Sequence, residues 1–291
     1  MSTPDYKLIT FAPEQWGQLD RFQRFYPKTY AFDFHTQKAV GGAANHLRKA
    51  WILCNVTKER VGLLEEDHKQ FQSCGYTPAN RAKELSALVE TVILELYSVV
   101  DCTRKVVTFI YRDYKGVAQS THKFFQRARD GKIDEAVPQV IRDTFAFADW
   151  YSDFRRMRDE LTHADIGSCN QNTQTGKVAY FHLGLGDKQK ALVIDDIFSY
   201  LDNLFEQVNV FLGRIFAYLN GTLSNSASLQ ICGFFGGRVY TRYVKPQEAK
   251  DFNSGRCDAY KWFEKEGNPP CPFMSQCKAY GNRSGEEGPQ S

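Results

Sequence analysis

Residues 81–114 read RAKELSALVETVILELYSVVDCTRKVVTFIYRDY. Leu85, Leu88, Val89, Val92, Ile93, Leu96, Val99 and Val100 recur at spacings of three and four, and Val106, Val107, Ile110 and Tyr111 carry the stripe on. The spacing predicts one long amphipathic helix. At 1.5 Å per residue it approaches about 50 Å. A helix of that length presents an apolar stripe that it cannot bury alone, so other elements must pack along it.

The flanking sequence supplies them. Residues 37–72 carry a weaker helical pattern with Leu47, Trp51, Cys54 and Leu64 as candidate buried positions, and Gly75-Tyr76-Thr77-Pro78 breaks it. After the long helix, a basic stretch at 115–132 leads to a helix for which Asp134 is a candidate N-cap and Pro138 a tolerated first-turn residue. Ile141, Phe145 and Ala148 mark one stripe there; Phe147, Tyr151, Phe154, Met157 and Leu161 mark another, and the helix should fade near Gly167. Val178–Leu183 and Ala191–Ile194 flank Gly184-Leu185-Gly186-Asp187, a hairpin signal. Asp195 or Asp196 should cap a closing helix running from Ile197 to Asn220-Gly221.

The expected fold is therefore mainly α: a helical bundle with a small β-hairpin insertion, followed by a C-terminal hairpin and a cysteine-containing segment. The expected divisions are an irregular arm at 1–36, a helical domain at 37–221 with its core at 81–221, the C-terminal hairpin and cysteine segment at 222–281, and a flexible tail at 282–291. In the C-terminal segment, Leu229–Phe235 and Arg238–Val244 flank Gly236-Gly237, a two-residue hairpin turn.

Composition narrows the function classes. The 291 residues are 42% hydrophobic and 24% charged, enough to build a sizeable core. Lys plus Arg total 37 against 34 Asp plus Glu, which excludes a histone-like polycation but not a local anion-binding patch. No leader-like segment and no apolar run of membrane-spanning length is evident, so the expectation is a soluble cytoplasmic protein with reduced thiols. There is no P-loop, no GxSxG elbow and no HExxH pair.

The segment 149–167, DWYSDFRRMRDELTHADIG, is the one that points to chemistry. Within RDELTH, Asp159 and His163 are four apart and share a helix face, so the carboxylate can orient the imidazole. Arg158 and His163 are five apart, about 140° around a regular helix. An Arg and a His suit RNA cleavage: the guanidinium neutralises the scissile phosphate and the imidazole moves protons at neutral pH. No metal is needed for that route. At a helix C-terminus, the partial negative charge favours a protonated His163.

This segment resembles the HEPN family, α-helical domains that carry an Arg, a polar residue, a few residues and then a His. The order of long helices, with the motif at the end of a late one and a further helix after it, is similar too. The resemblance covers about half the chain. It implies a metal-independent endoribonuclease with Arg158, Asp159 and His163 as functional residues, two motifs facing each other across a homodimer, and a toxin or anti-phage defence role restrained by an antitoxin or sensor protein. The alternative it leaves open is a non-catalytic module that binds RNA or a nucleotide. Many HEPN toxins carry a Tyr two residues after the His; here that position is Asp165, a departure that leaves that mode of regulation without its residue.

Two further features are candidates. Arg104, Arg112, Lys115, Lys123, Arg127 and Arg129 crowd a basic stretch interleaved with Phe109, Tyr111, Tyr114, Phe124 and Phe125, a pattern that could contact phosphates and stack bases. Cys257, Cys271 and Cys277, with Cys232 or His182 as a fourth, are spaced unlike common zinc knuckles. The expectation is no cofactor and ordinary thiols, with a structural zinc or an iron–sulfur cluster as the alternative. RNA and a second copy are the expected partners, and no membrane. The aromatic run Phe147, Trp150, Tyr151 and Phe154 places the expected dimer interface along residues 147–165.

Overall fold

The long helix exists and organises the larger part of the chain. In a computed structural model that describes residues 9–10, 12–163, 166–185 and 191–282, the chain divides into two compact units, one formed by Asp33–Ile215 and the other by Met1–Phe32 with Phe216–Ser291. The first contains α2 (Phe34–Arg60), α3 (Leu64–Cys74), α4 (Asn80–Ile110), α5 (Thr121–Arg129), α6 (Gln139–Ala146) and α7 (Tyr151–His163), then β2 (Ser168–Gln171), β3 (Val178–His182) and β4 (Leu192–Ile194). The last helix, α8 (Ile197–Gly221), belongs to the first unit through Ile215 and to the second from Phe216.

In α4 the stripe positions Leu85, Val89, Val92, Ile93, Leu96, Val99, Val100, Val106 and Val107 are buried. The helix α2 packs along α4 through small side chains: Ala39, Val40, Ala43, Ala44, Ala50 and Cys54 are buried. Small residues let two backbones approach closely, and the apolar bulk of α2 is then left outside. Trp51, a candidate core residue by size, is accordingly 61% exposed, whereas Cys54 and Leu64 are buried. Asp33 caps α2 by accepting from the Thr36 amide at 2.7 Å.

The helix expected between Asp134 and Gly167 is two helices. Its two stripes were out of phase because the chain leaves the helix after Ala146 and re-enters at Tyr151. Pro138 is the N-cap of α6, and Asp134 instead closes a local turn onto the Ala136 amide at 2.9 Å. A basic-stretch helix, α5, lies between α4 and α6. Its Phe124 and Phe125 are core residues: Phe125 stacks on Tyr151 with ring centroids 3.6 Å apart and an interplanar angle of 3°, and it also meets Phe145 and Phe211. Four helices thus share one aromatic core.

After α7 the chain forms a three-stranded antiparallel sheet of order β2-β3-β4. The hairpin β3–β4 was expected; β2 was not. Part of its connection, Gly186 and Asp187, lies outside the described residues. Gly167, just past the motif, gives its amide to Glu90 of α4 at 2.7 Å, and a Cβ there would sit 2.5 Å from the Tyr180 ring. Only glycine fits that approach. Asp196 caps α8 by accepting from the Ser199 amide and hydroxyl at 3.2 and 2.9 Å.

In the second unit, the supposed N-terminal arm holds α1 (Gln18–Phe25), which buries Leu19, Phe22 and Phe25. Its Phe22 ring lies 5.2 Å from that of Phe216. The segment expected to be irregular is therefore partly helical: two of its aromatics, Phe22 and Phe25, mark one face of a short helix with Leu19. Here too are β1 (Ile9–Thr10), β5 (Ser228–Phe235), β6 (Arg238–Val244) and β7 (Arg256–Cys257), joined in the antiparallel order β1-β5-β6-β7, and the short helices α9 (Tyr260–Phe263) and α10 (Lys278–Gly281). Gly236 and Gly237 have φ of 55° and 76°, the two left-handed positions a type I′ hairpin turn requires. Among the described residues, no helix is long and apolar enough to cross a membrane.

Candidate active site: a basic cleft beside α7

Four elements of the larger unit meet around a cleft. It has two adjoining lobes of about 710 Å³ each, which share His46, Cys102, Arg104, Lys105 and Gln119. Ser98, Asp101, Arg104 and Lys105 come from α4; Arg155, Arg158, Asp159 and Thr162 from α7; His122 from the start of α5; His46 from α2. The second lobe adds Lys38 and Arg112 with Asp33. Six Lys and Arg against three Asp line the whole, so the small cationic excess of the chain is concentrated here. A cleft of one sign focuses its field on an anionic ligand.

The expected residues Arg158 and Asp159 both line it. The Arg158 guanidinium lies 4.9 Å from the Tyr97 ring centroid and donates through Nη1 to Asp159 Oδ1 at 2.9 Å. Arg155 Nε meets the other oxygen, Oδ2, at 3.1 Å. Asp159 is therefore a clamp between two arginines. It holds the guanidiniums in the cleft; the expected orientation of the His163 imidazole by Asp159 involves a side chain outside the described residues. His163 is the last residue of α7, and its side chain lies outside the described residues, as does Asp165; Thr162, its neighbour in the chain, lines the cleft.

The floor is built from a charged knot. Arg104, 4% exposed, gives Nε to Thr121 Oγ1 and Nη2 to Asp101 Oδ1, both at 3.0 Å. Thr121 donates its hydroxyl to Asp101, and Lys105 Nζ meets the same carboxylate at 2.9 Å. Burial alone would raise the Asp101 carboxyl; the hydrogen bonds from Thr121, Lys105 and Arg104 outweigh it and bring it down to about 2. Arg104 was expected to contact RNA. It lines both lobes, and its Nε and Nη2 bonds to Thr121 and Asp101 also make it a strut tying α4 to the start of α5.

The other basic residues divide. Arg112 lines the second lobe with its guanidinium 4.4 Å from the Phe109 ring centroid. Lys115, Lys123, Arg127 and Arg129 do not line the cleft: Arg127 reaches the Gly116 carbonyl and Arg129 the Ser152 hydroxyl. Tyr111, Phe124 and Phe125 are buried and cannot stack a base, because the core needs them; Tyr114 is exposed. The expected dimer seam is reduced for the same reason. Tyr151 and Phe154 are 1% exposed inside the aromatic core, whereas Phe147 is 71% exposed.

Two histidines that no spacing connected to the motif stand in the cleft. His46 Nδ1 pairs with Glu95 Oε2 at 2.6 Å, and Lys49 holds the other oxygen at 2.5 Å. His122 faces Arg155 and Asp159. Burial lowers its pKa from the ordinary histidine value, the Arg155 and Arg129 charges lower it further, and Asp159 opposes them. The shift favours the neutral imidazole, the form that accepts a proton. Nothing in the sequence marks it: it lies 36 residues before Arg158, on a helix brought alongside only by the aromatic core.

The four cysteines Cys232, Cys257, Cys271 and Cys277 come together in the smaller unit, around a cavity of their own. Comparison of the chain with models of known families, with curated proteins and with solved structures finds no match.

Proposed function

We propose that the chain is a HEPN-like, metal-independent endoribonuclease whose substrate backbone lies in the basic cleft. One observation carries the reading: the motif residues Arg158 and Asp159 share a cationic cleft with an imidazole, His122. Arg158 and Arg155, half-exposed and held in place by Asp159, supply the charge that a scissile phosphate needs. His122 accepts the proton of the attacking 2′-hydroxyl, and His163 delivers one to the leaving 5′-oxygen. Lys105, Arg112 and Lys38 extend the positive track to neighbouring phosphates. The proposal includes a homodimer, for which the exposed Phe147 beside the start of α7 offers apolar surface.

The test is incubation of the purified chain with single-stranded RNA, with and without EDTA. Cleavage that leaves 2′,3′-cyclic phosphate or 3′-phosphate ends and persists in EDTA is the expected result. Cleavage abolished by EDTA, or 3′-hydroxyl ends, would refute the route; RNA bound but left intact would make the chain the non-catalytic module of the same family.

A further inference from the structure

Cys232, Cys257, Cys271 and Cys277 are far apart in sequence, and the sheet and the segment after it gather them. Ile231 pairs with Thr241 and Gly233 with Tyr240, so Cys232 is the extra residue of a bulge in β5. A bulge re-aims the side chain it carries. Arg242 of β6 pairs directly with Cys257 of β7, which sets the two side chains on one face. Cys271 and Cys277 come from hydrogen-bonded turns after α9: the Met274 amide donates to the Cys271 carbonyl at 3.0 Å and the Cys277 amide to the Phe273 carbonyl at 2.8 Å. All four line one cavity of about 40 Å³, whose other walls include Phe235, Tyr240, Phe252 and Phe273.

A cation stands in the same wall. Arg242 is 4% exposed. It donates through Nη1 to the carbonyls of Phe252 and Ser254, and its Nη2 lies 4.0 Å from Cys277 Sγ. Its Nε has no hydrogen-bond partner among the described residues, and no described carboxylate pairs with it. A guanidinium keeps its proton even when buried, so its charge needs an anion. The groups within reach are thiols.

Among the described residues, no group of three or more His, Cys, Asp or Glu side chains is arranged to hold a single metal ion. A zinc site would close four sulfurs around one point at about 2.3 Å. Here the sulfurs wall a space equal to about three water-sized spheres, in an apolar surround that offers water few partners. We propose that Cys232, Cys257, Cys271 and Cys277 ligate an iron–sulfur cluster, with Arg242 as its buried counter-charge. Four thiol protons pass to solvent as four S–Fe bonds form to a preassembled core and the four bonds from its iron to carrier thiolates break, the thiolates leaving as thiols once reprotonated; no atom is oxidised or reduced. A core of charge 2+ with four thiolates leaves a net 2−, half of which the guanidinium offsets.

Anaerobic purification of the full chain, or reconstitution of it with ferrous and ferric iron and sulfide, tests this. Iron and acid-labile sulfide should appear in equal amounts, about two or about four of each per chain, with broad visible absorbance. Cys271→Ser should lose most of both, and Cys74→Ser, an exposed cysteine of the other unit, should lose neither. If Cys271→Ser does not fold, alkylation decides: in the wild-type chain Cys271 and Cys277 should be shielded before the iron is chelated away and modified after. No iron after reconstitution, zinc at one per chain that reconstitution does not displace, full iron in a folded Cys271→Ser, or identical alkylation before and after chelation would each overturn the assignment.

Discussion

Replacing Asp101 with Asn removes the charge at the centre of the cleft floor and leaves its shape nearly unchanged. The magnitude follows from two routes. Bringing the Asp101 carboxyl from an ordinary 3.8 down to about 2 corresponds to about 2 kcal/mol, at about 1.36 kcal/mol per decade. The side chain is 30% exposed and Lys105 is 50% exposed, so solvent screens part of that. In the other direction, Asn leaves the buried Arg104 guanidinium without its anion, a change that costs about 3–5 kcal/mol where nothing compensates. The Asn carbonyl retains one hydrogen bond, which favours the lower end. We expect Asp101→Asn to destabilise the larger unit by about 2–3 kcal/mol, and to lower its Tm by about 5–10 °C for a unit of this size.

Urea unfolding of wild type and variant across pH 6 to 2.5 is the assay. A carboxyl whose folded pKa is depressed contributes its stability above the unfolded pKa and loses it as pH falls through the folded one. The gap between the two proteins should be full above about pH 4.5 and shrink steadily toward pH 2. A Tm shift under about 1 °C at pH 7, or a gap that stays constant or widens on acidification, would refute the ionic account of the floor.

Arg158→Ala and His163→Ala should each lower cleavage by about a hundredfold or more, with unfolding midpoints within about 1 kcal/mol of wild type, because exposed helix pairs contribute little; full activity in either folded variant removes that residue from the mechanism. His122→Ala should lower cleavage about a hundredfold or more, and the wild-type rate should rise with pH through a midpoint below that of an ordinary histidine, the direction its burial and the Arg155 charge impose; an unchanged rate in the variant would return the base role to another group. Phe125→Ala should cost about 3–5 kcal/mol, read by chemical denaturation, since its ring joins Tyr151, Phe145 and Phe211; a loss under 1 kcal/mol would mean that the aromatic core does not bind α5 to α7. Phe147→Asp should shift sedimentation from dimer to monomer; a wild-type monomer with full activity would show that one cleft suffices.

What the sequence determined was local. The α4 stripe, the capped start of α8 and the Gly236-Gly237 hairpin follow from periodicity and turn chemistry within a few residues, and the same information located Arg158 and Asp159 at a helix end. The break between α6 and α7 was present as two stripes out of phase, yet periodicity alone does not say whether a helix curves or stops. The α2 seam was hidden because close packing there selects small residues, and hydrophobic patterns are read from large ones. Tertiary structure decided the rest. His122 and His46 reach the cleft only because helices distant in sequence pack on α4 and α7, and Arg104 became a strut because burial put Asp101 and Thr121 within its reach. The cysteines meet because a bulge, a strand pairing and a later turn each place one or two of them at the same cavity. Such convergence is a property of long-range pairing, which no short window of sequence contains.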